Sequence, residues 1–299
     1  MRKPGLLRRG DLIGVVAPAA AVDATQVNAG VRVLEQAGYR VHIGASVFRQ
    51  YGYLAGPDAD RAADLEAMFV DEEVRAIFTA RGGYGAGRLL PRFDLDVVRE
   101  HPKIFVGYSD VTFLLAHFME RAELVTFHGP MVTGMAQAQD GASRLLAFLE
   151  GDRAGWNLRA AEILQPGTAE GVIVGGCLSV VVAMLGTPYD IDTGGRILFL
   201  EDVNEKPYRI DRMLTQLEQA GKLDRVVGVV FGEMAGCSAD PNEVVTVRDV
   251  ITRAFASASY PVVFGLPTGH GRGAATVPLG VRARLAGERL TLLESPLTE

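Results

Sequence analysis

The first half of the chain alternates short apolar strands with segments of helical spacing, and this alternation restricts the fold more than any other feature of the sequence. The apolar runs expected to be strands are 12–16, 39–43, 74–79 and 104–106. The segments expected to be helical are 25–37, 58–70, part of 89–99, and 111–121. Repeated strand–helix units align their strands in parallel, so the sequence predicts a parallel sheet with helices on both faces. Such sheets bind ligands at the carboxyl ends of their strands.

The pattern weakens over about 137–171 and then changes character, which predicts a second domain. The elements expected there are short strands at 172–174, 197–200, 226–231, 262–264, 283–285 and 289–293, and helices at 208–220 and 245–256. We therefore expect an α/β protein in three parts. These are a parallel-sheet N-terminal domain over 1–136, a linker region over 137–170 that contains a helix and Trp156, and a mixed α/β C-terminal domain over 171–299.

The composition excludes several functional classes. The net charge of −6 argues against general nucleic-acid binding, which needs a basic surface. Cys177 and Cys237 form no Cys-x-x-Cys or Cys/His cluster, so no metal site is expected, and both are predicted to be buried free thiols in a reducing compartment. The basic start and the apolar run after it resemble a signal peptide, but the adjacent Asp11 fits a buried first strand better. No apolar stretch reaches the roughly 18–20 residues of a membrane span.

Ser109 lies in the turn between a strand and a helix. Residues 107–110 read Gly-Tyr-Ser-Asp and connect the strand over 104–106 to the helix that begins near Val111. A serine on such a turn is exposed at the sheet edge, close to the N–H groups of the helix start, which suits a nucleophile and a developing oxyanion. Val111 stands where G-x-S-x-G has its second glycine, which weakens the usual α/β-hydrolase interpretation. On the motif alone, a helix cap by Ser109 or Asp110 remains the alternative.

A glycine-rich loop follows the preceding strand, where residues 81–87 read Arg-Gly-Gly-Tyr-Gly-Ala-Gly. Consecutive parallel strands are often neighbours, so this loop should emerge at the same sheet edge as Ser109. A backbone N–H of Gly82 or Gly83 would then join the N–H of Asp110 as an oxyanion donor. A purely structural turn and a dinucleotide-binding loop are the alternatives, although the spacing is not G-x-G-x-x-G.

A nucleophilic serine also needs a general base. His270 is the first candidate, because it lies between two glycines in a loop that follows a strand. His128 is a candidate for lining the site. His42 and His117 are expected to be structural, and His101 to lie in a surface turn.

The base in turn needs a carboxylate that orients it. Glu201 directly follows the apolar run 197–200, and a carboxylate at the carboxyl end of a strand is well placed to face a cleft. Asp202 and Glu205 compete with it for this role. A solvated loop acid is the alternative for Glu201.

Several motifs in this order resemble the LD-carboxypeptidase family of serine peptidases. The main ones are residues 81–85, 106–112, 200–202 with 208–212, and 265–271. Similar segments at 53–56, 127–130 and 175–179 extend the resemblance over nearly the whole chain. The resemblance implies a Rossmann-like N-terminal domain and a swivelling-type C-terminal domain, with the site between them.

The resemblance also implies roles for individual residues. Ser109 matches the nucleophile of a Ser–Glu–His triad, Glu201 the orienting acid and His270 the base. The backbone donors of the oxyanion region would be Gly82, Gly83 and Asp110. The implied activity removes the terminal D-Ala from murein tetrapeptides during cell-wall recycling, by cutting an L,D bond in the cytoplasm. It requires no metal or other cofactor, and the family members are typically homodimers.

An exopeptidase must recognise the free carboxylate at the end of its substrate, for which a cationic group is suited. Arg81 and Arg272 are the candidates, with structural hydrogen bonds as their alternative role. Tyr84 and His128 are further candidates for substrate contacts.

A second branch of the family resembles microcin C immunity proteins, which cleave aminoacyl-sulfamoyl or aminoacyl-phosphoramidate nucleotides. That activity needs an aromatic surface for the nucleobase, and Trp156 in the linker leaves this alternative open. A third hypothesis is a non-catalytic protein that binds muropeptides in the same cleft. The presence of all three triad residue types argues against it.

Overall fold

The structure, a computed structural model, describes residues 1–152, 156–238, 244–271 and 275–299. The chain divides into two compact units. The first comprises Met1–Gly155, Ala275–Gly280 and Ser295–Glu299, and the second comprises Trp156–Ala274 and Val281–Glu294. Each unit is built around its own sheet.

Strands and helices follow one another along both units of the described chain. The strands are β1 (Leu12–Val16), β2 (Arg40–Ile43), β3 (Val74–Thr79), β4 (Ile104–Gly107), β5 (Thr126–His128), β6 (Asn157–Arg159), β7 (Glu162–Gln165), β8 (Thr168–Cys177), β9 (Arg196–Val203), β10 (Gly228–Ala235), β11 (Val262–Phe264), β12 (Val277–Leu279), β13 (Arg282–Ala286) and β14 (Arg289–Leu292). The α-helices are α1 (Ala24–Gln36), α2 (Asp58–Val70), α3 (Leu95–Glu100), α4 (Thr112–Ala122), α5 (Val132–Met135), α6 (Gln139–Leu149), α7 (Leu178–Met184), α8 (Pro207–Gln219) and α9 (Val247–Ala254). Short 3-10 turns cover Ala86–Leu89 and Ser109–Val111.

The sheet of the first unit has the strand order β12-β5-β4-β3-β1-β2. Neighbouring strands from β5 to β2 run parallel, and β12 joins at the edge in the antiparallel direction. After β2 the chain crosses to the other side of β1 to form β3, so the direction of winding reverses between β1 and β3. Doubly wound sheets bind their ligands at such a switch point, outside the carboxyl ends of the strands.

The core of the first unit is apolar on both sides of the sheet. The central strands β1, β3 and β4 are buried along nearly their whole length, as expected where helices cover both faces. Phe69 of α2, Phe105 of β4 and Phe118 of α4 form an aromatic cluster, with the rings of Phe105 and Phe118 5.1 Å apart. Helix α1 packs against α5. None of the helices in the described part of the chain is long and apolar enough to cross a membrane.

The second unit has a mixed sheet with the strand order β6-β14-β13-β8-β9-β10-β11-β7. Strands β8 to β11 are parallel in the middle, and the antiparallel strands lie on either side of them. Helices α8 and α9 pack against each other. The rings of Phe231 in β10 and Phe255 after α9 meet edge to face at 5.5 Å, which joins these helices to the sheet.

The predicted α/β class and the two-domain organisation are confirmed, but the boundaries differ from the predicted ones. The segment predicted as a linker over 137–170 contributes α6 to the first unit, and β6, β7 and the start of β8 to the second. Near its end the chain also returns to the first unit, with β12 and with Ser295–Glu299. Strand β12 does so because it pairs with β5, a strand far away along the chain, and local sequence patterns do not reveal pairing of this kind.

Both cysteines are free thiols, as predicted, but they differ in burial. Cys177 is buried at the end of β8, and burial raises the pKa of its thiol. Cys237 is only half-buried, where we expected a buried residue, and its pKa is raised to about 11, mainly by partial burial. Both thiols are therefore protonated at neutral pH.

The contact between α1 and α5 gives a test of packing in the first unit. A Cβ atom on Gly30 would lie 2.0 Å from the carbonyl oxygen of Val132, so Gly30→Ala must push the two helices apart. We expect it to lower the free energy of unfolding by about 2–3 kcal/mol. The control Gly134→Ala, in α5, adds a methyl group with nothing within 4 Å and should raise that energy by about 0.5–1 kcal/mol. Urea denaturation measures both values, and equal losses in the two variants would contradict the packing explanation.

Candidate active site

The backbone at Ser109 forms a sharp turn between β4 and α4. Tyr108 is extended, Ser109 has a φ of 62°, and the short 3-10 turn that starts at Ser109 continues directly into α4. A helix N-cap residue has extended backbone angles, whereas Ser109 has left-handed ones, which are unfavourable by roughly 1–2 kcal/mol for an L-residue. The geometry is therefore that of a strained turn presenting a side chain, and it differs from that of an N-cap. The Ser109 side chain is half-buried.

The glycine-rich loop lies against Ser109, as the sequence predicts. Strands β3 and β4 pair in parallel, so the loop after β3 and the turn after β4 emerge at the same sheet edge. A Cβ atom on Gly82 would lie 3.1 Å from Ser109 Oγ and 3.4 Å from the backbone nitrogen of Asp110. Only a residue without a side chain leaves the serine hydroxyl uncovered here. Gly82 and the Asp110 amide thus flank the hydroxyl, whereas Gly83 lies against Ala20, whose Cβ would be 2.6 Å from a Cβ on Gly83.

This arrangement lies at the switch point of the first sheet. The loop after β1 meets the glycine-rich loop there, and the backbone N–H of Ala20 donates to the carbonyl oxygen of Gly82 at 3.3 Å. Ser109 follows β4, the next strand along from β3. The nucleophile candidate and the oxyanion candidate therefore lie at the sheet edge where this type of fold binds ligands.

The second unit contains a histidine paired with a carboxylate. Nδ1 of His270 and Oε2 of Glu201 are 2.6 Å apart, and the Glu201 side chain is fully buried. Glu201 lies within β9, which continues to Val203 and is longer than the predicted run 197–200. Gly269 allows the close approach, since a Cβ atom there would lie 2.7 Å from the Glu201 carboxylate. A carboxylate bonded to Nδ1 fixes the neutral ring in the tautomer that carries its proton on Nδ1.

The two competing acids have other partners. Asp202 is the next residue in the strand and points to the opposite face of the sheet. Its carboxylate accepts the backbone N–H groups of Ser179 and Val203, both at 2.8 Å, and burial raises its pKa. Glu205 pairs with Arg209 at 3.3 Å. Of the three predicted candidates, Glu201 is the one whose carboxylate contacts the His270 ring.

The other four histidines lie apart from the pair formed by His270 and Glu201. His42 lies in the edge strand β2, and His101 follows α3 at its C-terminal end. His117 is buried in α4, and burial lowers its pKa to about 4. His128, a candidate for lining the site, is buried at the end of β5, with its ring 5.8 Å from that of Tyr108.

The remaining candidates for substrate contacts have different surroundings. Arg81 is exposed, and its guanidinium donates to the carbonyl oxygen of Ala21 at 3.3 Å. Tyr84 is 53% exposed, and its ring meets that of Tyr53 edge to face at 5.6 Å. Arg272 lies outside the described residues.

Two charged side chains, one near the glycine-rich loop and one near the His270 loop, are not identified by the sequence motifs. Arg61 of α2 is buried and contacts the glycine-rich loop through the carbonyl oxygen of Gly85 at 3.0 Å. Arg61 lies four residues before Leu65 and therefore on the apolar face of an amphipathic helix. A charged residue on such a face is unusual, and this is the sequence signal that could have identified Arg61. Glu233 in β10 lies against Gly271, the residue after His270; burial raises the pKa of its carboxyl, and the backbone of Gly271 partly offsets that increase.

Comparison with known proteins gives matches along most of the chain. The LD-carboxypeptidase N-terminal domain matches residues 13–129, and the LD-carboxypeptidase C-terminal domain matches residues 170–285. The chain is 39% identical to a probable murein peptide carboxypeptidase of Bacillus subtilis, over 99% of this chain and 96% of the relative. It is 25% identical to the microcin C7 self-immunity protein MccF of Escherichia coli, over 91% and 90% of the two chains. The solved structure of muramoyltetrapeptide carboxypeptidase from Oxalobacter formigenes aligns with a TM-score of 0.81 at 27% identity, over 93% and 97% of the chains.

The left-handed backbone of Ser109 leads to a prediction about stability. The free energy of unfolding of Ser109→Gly should be about 0.5–1 kcal/mol higher than that of Ser109→Ala. Glycine removes the strain of the left-handed backbone, and its greater conformational freedom in the unfolded chain offsets only part of that stabilisation. Both variants lack the hydroxyl, so their difference isolates the backbone effect.

Ser143, exposed within α6, provides the matched control. In that helix the order should reverse, with the glycine variant about 1 kcal/mol less stable than the alanine variant. Urea denaturation of the four proteins measures both differences. The same order at both positions would contradict strain at Ser109.

Proposed function

The chain belongs to the LD-carboxypeptidase family of serine-type hydrolases, and we propose that it removes the terminal D-Ala from murein tetrapeptides. The observation that carries the proposal is the 2.6 Å contact between His270 Nδ1 and the buried Glu201 carboxylate. A serine hydroxyl is a weak nucleophile, and an oriented neutral imidazole is what activates it. The 39% identity to the Bacillus subtilis murein peptide carboxypeptidase supports the substrate class.

The first half of the reaction forms an acyl-enzyme. Nε2 of His270 takes the proton of the Ser109 hydroxyl while Oγ attacks the carbonyl carbon of the L-centre residue. The carbonyl oxygen becomes an oxyanion, which the backbone N–H of Asp110 and the glycine-rich loop at Gly82 stabilise. The tetrahedral intermediate collapses as the C–N bond breaks, and His270 gives its proton to the departing amine of D-Ala.

The second half regenerates the enzyme. His270 takes a proton from water, the hydroxide attacks the acyl carbon, and the bond to Ser109 Oγ breaks as His270 returns the proton to it. Through both halves Glu201 keeps Nδ1 as the donor nitrogen and stabilises the imidazolium that forms on the ring. Bond making and breaking therefore involve Ser109 and His270, and Glu201 acts through His270.

Exopeptidase specificity requires a contact with the carboxylate of D-Ala. Arg81 is our candidate within the described residues, because it is exposed and begins the glycine-rich loop next to Ser109. Tyr84 in the same loop, His128 and Arg272 remain proposed substrate contacts. The two free thiols support a reducing compartment, and we place the enzyme in the cytoplasm as a homodimer, in agreement with the resemblance of its motifs to the family.

Hydrolysis of aminoacyl-sulfamoyl nucleotides is the second candidate function. The 25% identity to MccF favours it, as does the exposed aromatic pair of Tyr53 and Tyr84, since a nucleobase stacks on such rings. The higher identity to the murein peptide carboxypeptidase makes the peptide the preferred substrate.

The substrate class is tested by incubating the purified protein with murein tetrapeptide and following the mass of the peptide. We expect the loss of a single alanine. Ser109→Ala should abolish this loss, because no other group replaces the hydroxyl that attacks the carbonyl, whereas the control Ser143→Ala should retain it. An intact tetrapeptide combined with hydrolysis of an aminoacyl-sulfamoyl adenosine would overturn the peptide assignment in favour of the second candidate.

The orienting role of Glu201 is tested by Glu201→Gln, which keeps the size of the side chain and removes its charge. We expect kcat to fall by about 10³–10⁴-fold, because an amide neither enforces the required tautomer of His270 nor stabilises the imidazolium. The exposed residue Glu170 of β8 provides the control, and Glu170→Gln should leave kcat unchanged. Steady-state kinetics with circular dichroism as a check on folding measures the effect. A folded Glu201→Gln variant with more than a tenth of the normal kcat would remove Glu201 from this role.

A further inference from the structure

The residue after the nucleophile candidate is also tied to the glycine-rich loop through its side chain. The Asp110 carboxylate is buried, and its Oδ2 accepts the backbone N–H of Ala86 at 2.7 Å. The backbone of Gly85 also lies close enough to lower the pKa of this carboxyl. One residue therefore contributes a main-chain amide beside the Ser109 hydroxyl and a carboxylate that binds the far end of the loop.

Arg61 binds the same end of the loop from another side. Its buried guanidinium donates to the carbonyl oxygen of Gly85 at 3.0 Å and to that of Gly56 at 3.2 Å, and it also donates to the carbonyl oxygen of Pro18. Asp58 balances its charge at 2.5 Å. Three separate loops of the first unit are thus held by one cation, and the carbonyl of Gly85 is among its acceptors.

The near end of the loop is held as well. The backbone N–H and the hydroxyl of Thr133 both donate to the carbonyl oxygen of Ala80, each at 3.0 Å. The segment between Ala80 and Gly85 is therefore fixed at both ends, and Gly82 lies between them against Ser109. The position of Gly82 depends on these anchors and on the hydrogen bond from the backbone N–H of Ala20 to its carbonyl oxygen, because a glycine has no side chain with which to pack.

We propose that the Asp110 carboxylate and the Arg61 guanidinium are positioning residues that hold the glycine-rich loop at the distance from Ser109 at which it stabilises the oxyanion. The assignment rests on the proposed function. Preorganised donors act in the transition state only if they are already in place, and a displacement of about 1 Å reduces rates by about 10²-fold. The two side chains act through the loop and contact neither substrate nor Ser109 Oγ in this role.

The charge of Asp110 fits this role. Burial raises the pKa of its carboxyl to about 6, while the backbone amides of Ala86 and Gly85 and the nearby Arg61 act in the opposite direction. The group is therefore ionised at neutral pH, and an ionised carboxylate accepts the hydrogen bond from the Ala86 amide more strongly than a neutral group does. Burying an ionised carboxylate is unfavourable for folding. Anchoring the loop beside the nucleophile is the function that accounts for a buried charge at this position.

The test is Asp110→Asn, which keeps the shape of the side chain and removes its charge. We expect kcat for the tetrapeptide to fall by about 10²-fold, because the anchor holds the oxyanion donor in place, with a smaller rise in KM because the same loop carries the proposed substrate contacts Arg81 and Tyr84. The control is Asp64→Asn. Asp64 also holds a loop of the first unit, through the N–H and hydroxyl of Ser46 at 2.6 Å each, but it does not contact the glycine-rich loop. A kcat within threefold of wild type in folded Asp110→Asn, or an equal fall in Asp64→Asn, would overturn the proposal.

Hydrogen exchange of the Ser109→Ala protein and of the Ser109→Ala/Asp110→Asn double variant, measured by mass spectrometry, follows the loop without any need for activity. We expect peptides covering residues 81–88 to exchange at least tenfold faster in the double variant, and peptides from α6 to be unchanged. Unchanged exchange in the loop would refute the anchoring, even if the tetrapeptide is the substrate. Faster exchange in the double variant, combined with a wild-type protein that does not cleave the tetrapeptide, would leave the anchoring intact and refute the proposed function.

Arg61→Lys provides an independent variant in case Asp110→Asn does not fold. Lysine keeps the charge but lacks the planar group that reaches the carbonyl oxygens of Gly85 and Gly56 together. The same pattern is expected, with faster exchange over residues 81–88 and a fall in kcat of about tenfold or more that exceeds any rise in KM. A folded Arg61→Lys variant with wild-type kcat and exchange would remove Arg61 from the anchoring role.

Discussion

The structure of the first unit depends on the parallel pairing of β1, β3 and β4. Parallel strands end at the same sheet edge, so this pairing brings together the loop after β1, the glycine-rich loop and the turn at Ser109. The close approach of Gly82 to Ser109 follows from it, as does the hydrogen bond between Ala20 and Gly82. If β4 were not next to β3, neither the oxyanion candidate nor the anchor from Asp110 would lie within reach of the serine.

The same constraint operates in the second unit with different chemistry. Glu201 in β9 and Glu233 in β10 belong to neighbouring parallel strands, and the loop that carries His270 follows the next parallel strand, β11. The His270 loop therefore meets two carboxylates, one through the ring and one through the backbone of Gly271. Two side chains on strands, the rigid part of the fold, thus fix the orientation of the imidazole and the position of the loop that carries it.

The sequence predicts the elements that have strong local patterns. The observed bounds of β1, α2, β3 and β11 are those predicted from the apolar runs, because each element has the periodicity or continuous apolar character of its type. Strand β12 escaped prediction, since it is short, contains Pro278 and pairs at a sheet edge with a distant strand, which is where proline is tolerated. The boundaries of the predicted linker differ from the structure for a related reason: β6 and β7 are the two short edge strands of the second sheet, and their partners lie far along the chain.

In the candidate site too, local sequence patterns reveal some features and not others. Their positions after apolar runs made His270 the first candidate for the base and Glu201 one of three candidates for the acid; the resemblance to the family selected Glu201, and the structure brings the two into contact. The left-handed angle of Ser109 and the contacts of Arg61 could not be derived in this way, because backbone strain and buried charge run against the local rules on which sequence interpretation depends.

The turn at Ser109 also explains why a helix cap was a strong alternative interpretation of the motif. Serine and aspartate are common at helix starts because their side chains accept helix N–H groups. Here Asp110 does lie at the start of a helix, but its carboxylate binds the amide of Ala86 in another loop. Two unfavourable features, a left-handed serine and a buried carboxylate, therefore occur in adjacent residues. Such features persist only where the surrounding structure enforces them. Their clustering beside one hydroxyl indicates that the conformation of this turn serves the reactivity of Ser109, although it lowers the stability of the fold.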